Sequence, residues 1–100
     1  FDWLSTDAIQ VDQYIEDPYC GFAITTASWC ELFKALIELY SKNRIARIQK
    51  DLPIYILGGD QDPVGGFGKG LKKLQAAYQR AGQQDVSLSL YSGKRHETLN

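Results

Sequence analysis

Length, composition and charge already exclude several classes of protein. The chain has 100 residues, of which 44% are hydrophobic, and this is enough for one small hydrophobic core. No apolar run approaches the length of a membrane span, so no membrane-spanning segment is predicted. Eleven Lys and Arg residues against twelve Asp and Glu leave a net charge of -1, which gives no electrostatic basis for binding nucleic acid or an anionic membrane surface. A small-molecule partner is therefore favoured.

The two cysteines indicate the cellular compartment of the protein, and the first residue indicates whether the sequence begins at a natural start. Cys20 and Cys30 form no C-x-x-C motif and have no histidine near them in sequence, which argues against a zinc site and a disulfide-rich secreted scaffold. We interpret them as free, mostly buried thiols, which favours a reducing, cytoplasmic location. Because the chain begins at Phe1 without a methionine or a signal-like segment, we expect its start to be a cut within a longer protein.

The first half of the chain predicts helices. A helix of roughly ten residues is expected after Ser5-Thr6-Asp7, ending at Asp17-Pro18, and residues 19–26 are expected to form a loop. Ser28-Trp29-Cys30-Glu31 fits a capping box and predicts that a second helix begins there. This helix carries an apolar stripe at three- and four-residue steps, which is most simply a buried face: Trp29, Leu32, Phe33, Leu36, Ile37 and Tyr40. One or two further helical turns are predicted within residues 43–50.

The second half predicts a strand, a helix and a strand. The apolar run 54–57 opens after Pro53 and is expected to form a buried parallel strand, with Gly58-Gly59 as the turn that leaves it. Residues 71–81 have helical spacing, and Gly82 is the expected cap at the helix end. Apolar residues then alternate with polar ones over 86–91, which is typical of a strand with one buried face. This order predicts a parallel βαβ unit.

Chemically active side chains follow both predicted strands. Asp60 and Asp62 come directly after the first strand, and His96, the one histidine of the chain, follows the second. Because parallel strands present their carboxyl ends at one edge of a sheet, an acid and a histidine are expected to meet there. A hydrolase triad uses a carboxylate to orient the histidine that accepts the nucleophile's proton. By spacing alone both aspartates qualify, and either could instead be a turn residue.

The pattern resembles a known superfamily. Gly59-Asp60-Gln61-Asp62-Pro63-Val64, followed by a helix, a strand and Gly93-Lys94-Arg95-His96-Glu97, is similar to the acid turn and histidine loop of α/β-hydrolases. The upstream segments DWLSTD and YIEDPYCGF resemble the cap of the lysophospholipase and monoacylglycerol lipase branch, the serine aminopeptidase-like hydrolases. The resemblance implies an α/β fold and the carboxyl-terminal part of such an enzyme. Residues 1–50 would form the cap and return helix, and residues 51–100 the terminal βαβ part of the core.

The resemblance also implies site residues and a substrate class. In the family pattern the acid lies three positions after the glycine at the strand end, which selects Asp62 over Asp60 as partner of His96. The substrate would be a lysophospholipid, monoacylglycerol or similar carboxylic ester, and no metal or organic cofactor is implied. The cap lies over the active site in these enzymes, so Phe22, Trp29 and Phe33 are candidates for lining an acyl-chain pocket.

The nucleophile of a serine hydrolase is not found in this sequence. None of the serines has the flanking glycines of a G-x-S-x-G nucleophile elbow: Ser5, Ser28, Ser41, Ser87, Ser89 and Ser92. We therefore expect this chain to be inactive alone. The alternatives are a non-catalytic, protein-binding fragment and a hydrolase of the same fold with an aspartate nucleophile. The glycine run 65–70 lacks the spacing of a phosphate-binding loop and is expected to lead into a helix.

Overall fold

The described residues form an α/β structure of four helices and two strands. A computed structural model describes residues 1–99, apart from the side chain of Lys42. The elements are α1 (Ala8–Glu16), α2 (Thr26–Leu39), α3 (Lys42–Ile45), β1 (Ile54–Gly59), α4 (Lys69–Arg80) and β2 (Val86–Tyr91). None of the described helices combines the length and the apolar character that a membrane-spanning helix requires.

The two strands and the helix between them form the predicted parallel βαβ unit. β1 and β2 pair in parallel, with Ile54 opposite Val86 and Gly59 opposite Tyr91, and α4 packs on both strands. Gly82, with a left-handed φ of 92°, follows the last residue of α4 and its cap, as the sequence predicts. Because the strands start level and have equal length, their carboxyl ends lie side by side.

Gly58 and Gly59 do not form a turn. They allow neighbouring parts of the chain to lie close to the backbone of β1. Both belong to β1, which corrects the prediction that the strand stops before them. A Cβ on Gly58 would lie 2.5 Å from Cδ1 of Leu71 on α4, and a Cβ on Gly59 would overlap the backbone of Lys94 and Arg95. At its carboxyl end β1 therefore lies in close contact with α4 and with the backbone of Lys94 and Arg95.

Burial is less complete than the sequence predicts. β1 is covered on one face only: Ile56 is buried, whereas Tyr55 and Leu57 point to the other, exposed face. The α2 stripe predicted to be buried is also exposed, and this includes Trp29 and Phe33. No described element covers these surfaces, because α4 occupies the opposite face of the sheet and α2 contacts mainly α3.

α1 begins directly after Ser5-Thr6-Asp7, as predicted, whereas α2 begins earlier than predicted because a different side chain caps it. Asp7 is the cap of α1 and accepts a hydrogen bond from the Ile9 N–H, so it precedes the first turn. α2 starts at Thr26, because the Thr25 hydroxyl accepts the Ser28 N–H at 3.1 Å. The predicted box from Ser28 to Glu31 is therefore wrong, and the Glu31 carboxylate pairs instead with Lys34 at 2.8 Å.

The cysteines are free, but they are more accessible than expected. Cys20 is half-buried and Cys30 is exposed on α2, so the prediction of mostly buried thiols is wrong. Desolvation, and then the nearby Asp17 carboxylate, raise the pKa of the Cys20 thiol. A raised pKa keeps that thiol in its unreactive, protonated form near neutral pH.

Candidate active site

Asp62 and His96 meet at the carboxyl edge of the sheet. Nδ1 of His96 lies 3.1 Å from Oδ2 of Asp62. An ionised carboxylate can only accept a hydrogen bond, so Nδ1 must carry the proton in this contact. The neutral imidazole then has its free lone pair on Nε2. This tautomer is the one that can accept a proton from a nucleophile at Nε2.

The Asp62 carboxylate is buried and has a partner for each oxygen. The residue is 7% exposed, and its Oδ1 accepts the Val64 N–H at 2.8 Å while Oδ2 faces the imidazole. The carbonyl of Asp62 also accepts the Phe67 N–H at 2.8 Å, which folds the glycine-rich segment back against the acid turn, residues 60–64. Since both oxygens have partners, the carboxylate has a defined orientation toward the histidine.

Asp60 lies at the same edge of the sheet but makes different contacts from Asp62. Its Oδ1 accepts the Gly93 N–H at 2.8 Å and lies 3.3 Å from Nε2 of Gln61. Its carboxylate thus joins the acid turn to the histidine loop, which we define as residues 92–97. A second link is the hydrogen bond from the Gln61 N–H to the Lys94 carbonyl at 2.9 Å. Two loops far apart in sequence are therefore held together beside His96.

The aromatic candidates form no part of this hydrogen-bonded cluster. Trp29 and Phe33 stack on each other on α2, with centroids 5.5 Å apart and ring planes inclined by 19°. Phe22 lies in the loop before α2, and all three side chains are exposed. Their role in binding substrate stays a prediction.

Open cavities lie beside this edge rather than at it. Three of about 350, 590 and 420 Å³ share Tyr40 and Ile45 in their walls, between α2, α3 and α4. The cavity of 420 Å³ extends to Val64 at the end of the acid turn and to Gly65 at the start of the glycine run. Neither Asp62 nor His96 lines these three cavities.

Residues from outside the βαβ unit support the histidine loop, and they were not predicted from the sequence. The centroids of the Trp3 ring and the His96 imidazole are 5.2 Å apart. The Arg95 guanidinium donates a hydrogen bond to the Ser5 carbonyl at 3.0 Å. The two contacts join positions about ninety residues apart. The adjacency of Arg95 to His96 was the one local signal that could have indicated them.

The family follows from a match along the full sequence. A model of the family described as "Serine aminopeptidase, S33" matches residues 1–100. The chain belongs to the serine aminopeptidase family. A search of curated protein sequences returned no significant match.

A solved structure agrees with this family and with the α/β-hydrolase fold. The serine aminopeptidase-family chain is similar to a highly thermostable carboxyl esterase from Bacillus coagulans, crystallised in complex with glycerol. The TM-score is 0.82 at 30% sequence identity, and the match covers 99% of this chain and 32% of the esterase. The chain thus spans about a third of that enzyme, and its described strands and helices form a fragment of the larger fold.

Proposed function

We propose that the full-length protein is a serine hydrolase of carboxylic esters in which Asp62 orients His96. The 3.1 Å contact between Oδ2 of Asp62 and Nδ1 of His96 carries this proposal. A serine outside the present sequence would attack the ester carbonyl. Nε2 of His96 would take the serine proton and later deliver it to the leaving alcohol, while the Asp62 carboxylate stabilises the imidazolium formed between these steps.

Two further observations support this assignment. The Asp62 carboxylate is buried while the His96 side chain is 42% exposed, so the imidazole can meet a reacting group on its outer side. The similar solved structure is a carboxyl esterase, which favours an ester over an amide as the substrate. Under this proposal, residues 1–50 belong to the cap and return helix, residues 51–100 to the end of the core, and the present chain is inactive alone.

Labelling with a fluorophosphonate tests the proposal in the full-length protein. We expect a single serine to be labelled and His96→Ala to slow labelling by at least about a thousandfold, because the serine then loses its general base. The rate is measured by mass spectrometry. Tyr19→Ala, a truncation of an exposed aromatic residue, is the matched control and should label at the wild-type rate.

Each alternative gives a different outcome in this experiment. No labelled serine, together with a covalent ester intermediate on an aspartate, would assign the protein to the aspartate-nucleophile group. No covalent intermediate and no ester turnover would favour a non-catalytic, protein-binding role. Serine labelling that is unchanged in His96→Ala would leave the hydrolase class in place and remove His96 from the proposal.

We further propose that the substrate carries a long acyl chain, as in a lysophospholipid or monoacylglycerol. The stacked pair Trp29 and Phe33 is an exposed apolar surface on a predicted cap helix, and such a surface can bind an acyl chain through the hydrophobic effect. Phe33→Ala is expected to raise KM for a long-chain monoacylglycerol about tenfold, and KM for an acetyl ester less than twofold. An equal rise for both esters would contradict the acyl-chain assignment.

A further inference from the structure

The segment Trp3–Thr6 lies along the histidine loop and bonds to it repeatedly. Three consecutive carbonyls of the segment accept hydrogen bonds from three consecutive residues of the loop. The bonds run from His96 N–H to the Trp3 carbonyl (3.2 Å), from Glu97 N–H to the Leu4 carbonyl (2.8 Å) and from Arg95 Nη1 to the Ser5 carbonyl (3.0 Å). The position of the loop therefore depends on a segment at the opposite end of the sequence.

Burial makes this segment a fixed support. Leu4 is one of the few buried apolar side chains in the described chain, and Ser5 is only 1% exposed. The Ser5 hydroxyl also accepts the Asp7 N–H at 3.1 Å, next to the start of α1. A segment with buried side chains and paired carbonyls resists displacement, because moving it would leave buried polar groups without partners.

The support extends to the imidazole itself. The Trp3 ring contacts the His96 ring at 5.2 Å between centroids, with the ring planes inclined by 60°. The Asp62 carboxylate holds His96 through Nδ1 alone, and a single hydrogen bond does not prevent a half-exposed ring from swinging about it. A bulky neighbour restricts that swing by steric contact.

We propose that Trp3 is a positioning residue for His96, held in place by the buried Leu4-Ser5 segment and by Arg95. Trp3 keeps the imidazole in the orientation in which Nδ1 faces Asp62 and Nε2 faces the reacting groups. This inference rests on the proposed function, in which His96 transfers the proton. A misplacement of about 1 Å at such a group costs up to about a hundredfold in rate, so the contact bears on turnover rather than on substrate affinity.

Substitution of Trp3 in the full-length protein tests this role with two independent readouts. Trp3→Leu is expected to lower kcat for an acetyl ester about tenfold with KM changed less than twofold, whereas Trp3→Phe keeps most of the activity. The second readout is the far-downfield proton NMR signal of the Nδ1 proton, assigned by its loss in His96→Ala. In Trp3→Leu this signal should broaden or disappear, and in Trp3→Phe it should persist.

A control variant and two possible results decide whether Trp3 positions His96. Tyr19→Leu removes a similar ring from an exposed site and should change neither readout. If Trp3→Leu keeps both kcat and the NMR signal, or if the wild type shows no such signal, the positioning role is wrong. Should Trp3→Leu fail to fold, Arg95→Met replaces it, with Arg47→Met as its control and the same losses expected.

The NMR readout also separates this inference from the proposed function. A full-length protein that hydrolyses no ester would refute the proposed function. The effect of Trp3→Leu on the Nδ1 proton signal would still decide whether Trp3 holds His96 against Asp62.

Discussion

Asp62→Asn in the full-length protein is expected to lower kcat by about four orders of magnitude while leaving the fold intact. The asparagine oxygen can still accept the Val64 N–H, so the acid turn keeps its hydrogen bond. The new amide nitrogen in place of Oδ2 donates, however, and Nδ1 of His96 would have to accept. The ring proton then moves to Nε2, which can no longer take the serine proton. Ester hydrolysis and circular dichroism measure the two effects.

Asp60→Asn is the matched control for this substitution. Its oxygen can still accept the Gly93 N–H, and its side chain bonds to loop backbone rather than to the imidazole. We expect a loss in kcat of less than about threefold, since a neutral acceptor replaces a charged one at a part-exposed site. A larger loss in Asp60→Asn than in Asp62→Asn would reverse the assignment of the triad acid.

Gly59→Ala is expected to destabilise the full-length protein by more than about 3 kcal/mol and to abolish most ester hydrolysis. A Cβ at this position overlaps backbone atoms of Lys94 and Arg95, and backbone cannot move aside as a flexible side chain can. To make room, the histidine loop must separate from β1. This would break the Gln61–Lys94 hydrogen bond and displace His96. Urea unfolding and kcat, measured on the same samples, test both parts.

Gly93→Ala separates backbone strain from steric overlap. Gly93 has a φ of 73°, but a Cβ there meets no atom within 4 Å. The substitution should therefore lower the free energy of unfolding only by the cost of placing alanine in the left-handed conformation, roughly 1–2 kcal/mol. If the two alanine substitutions cost the same, the close approach at Gly59 is not what holds the two loops together.

Most of the βαβ unit could be predicted from the sequence because local patterns encode it. Alternating polarity identified β2, helical spacing identified α4, and Gly82 marked the end of α4. Two of the errors arose where the same residue type serves two purposes. Glycine ends many strands, yet Gly58 and Gly59 continue β1 because neighbouring atoms exclude a Cβ. Likewise Thr25 and Ser28 are both capable caps, and only the backbone conformation selects Thr25.

By itself, the sequence determined that an acid turn and a single histidine follow two parallel strands, and hence that they share one edge of a sheet. Strand polarity and spacing are local properties, and they are sufficient for that conclusion. Only the tertiary structure decided which aspartate oxygen reaches Nδ1 of His96, which apolar faces stay exposed, and that Trp3 and Ser5 support the histidine loop. These outcomes depend on contacts between residues far apart in the chain, for which no local pattern exists.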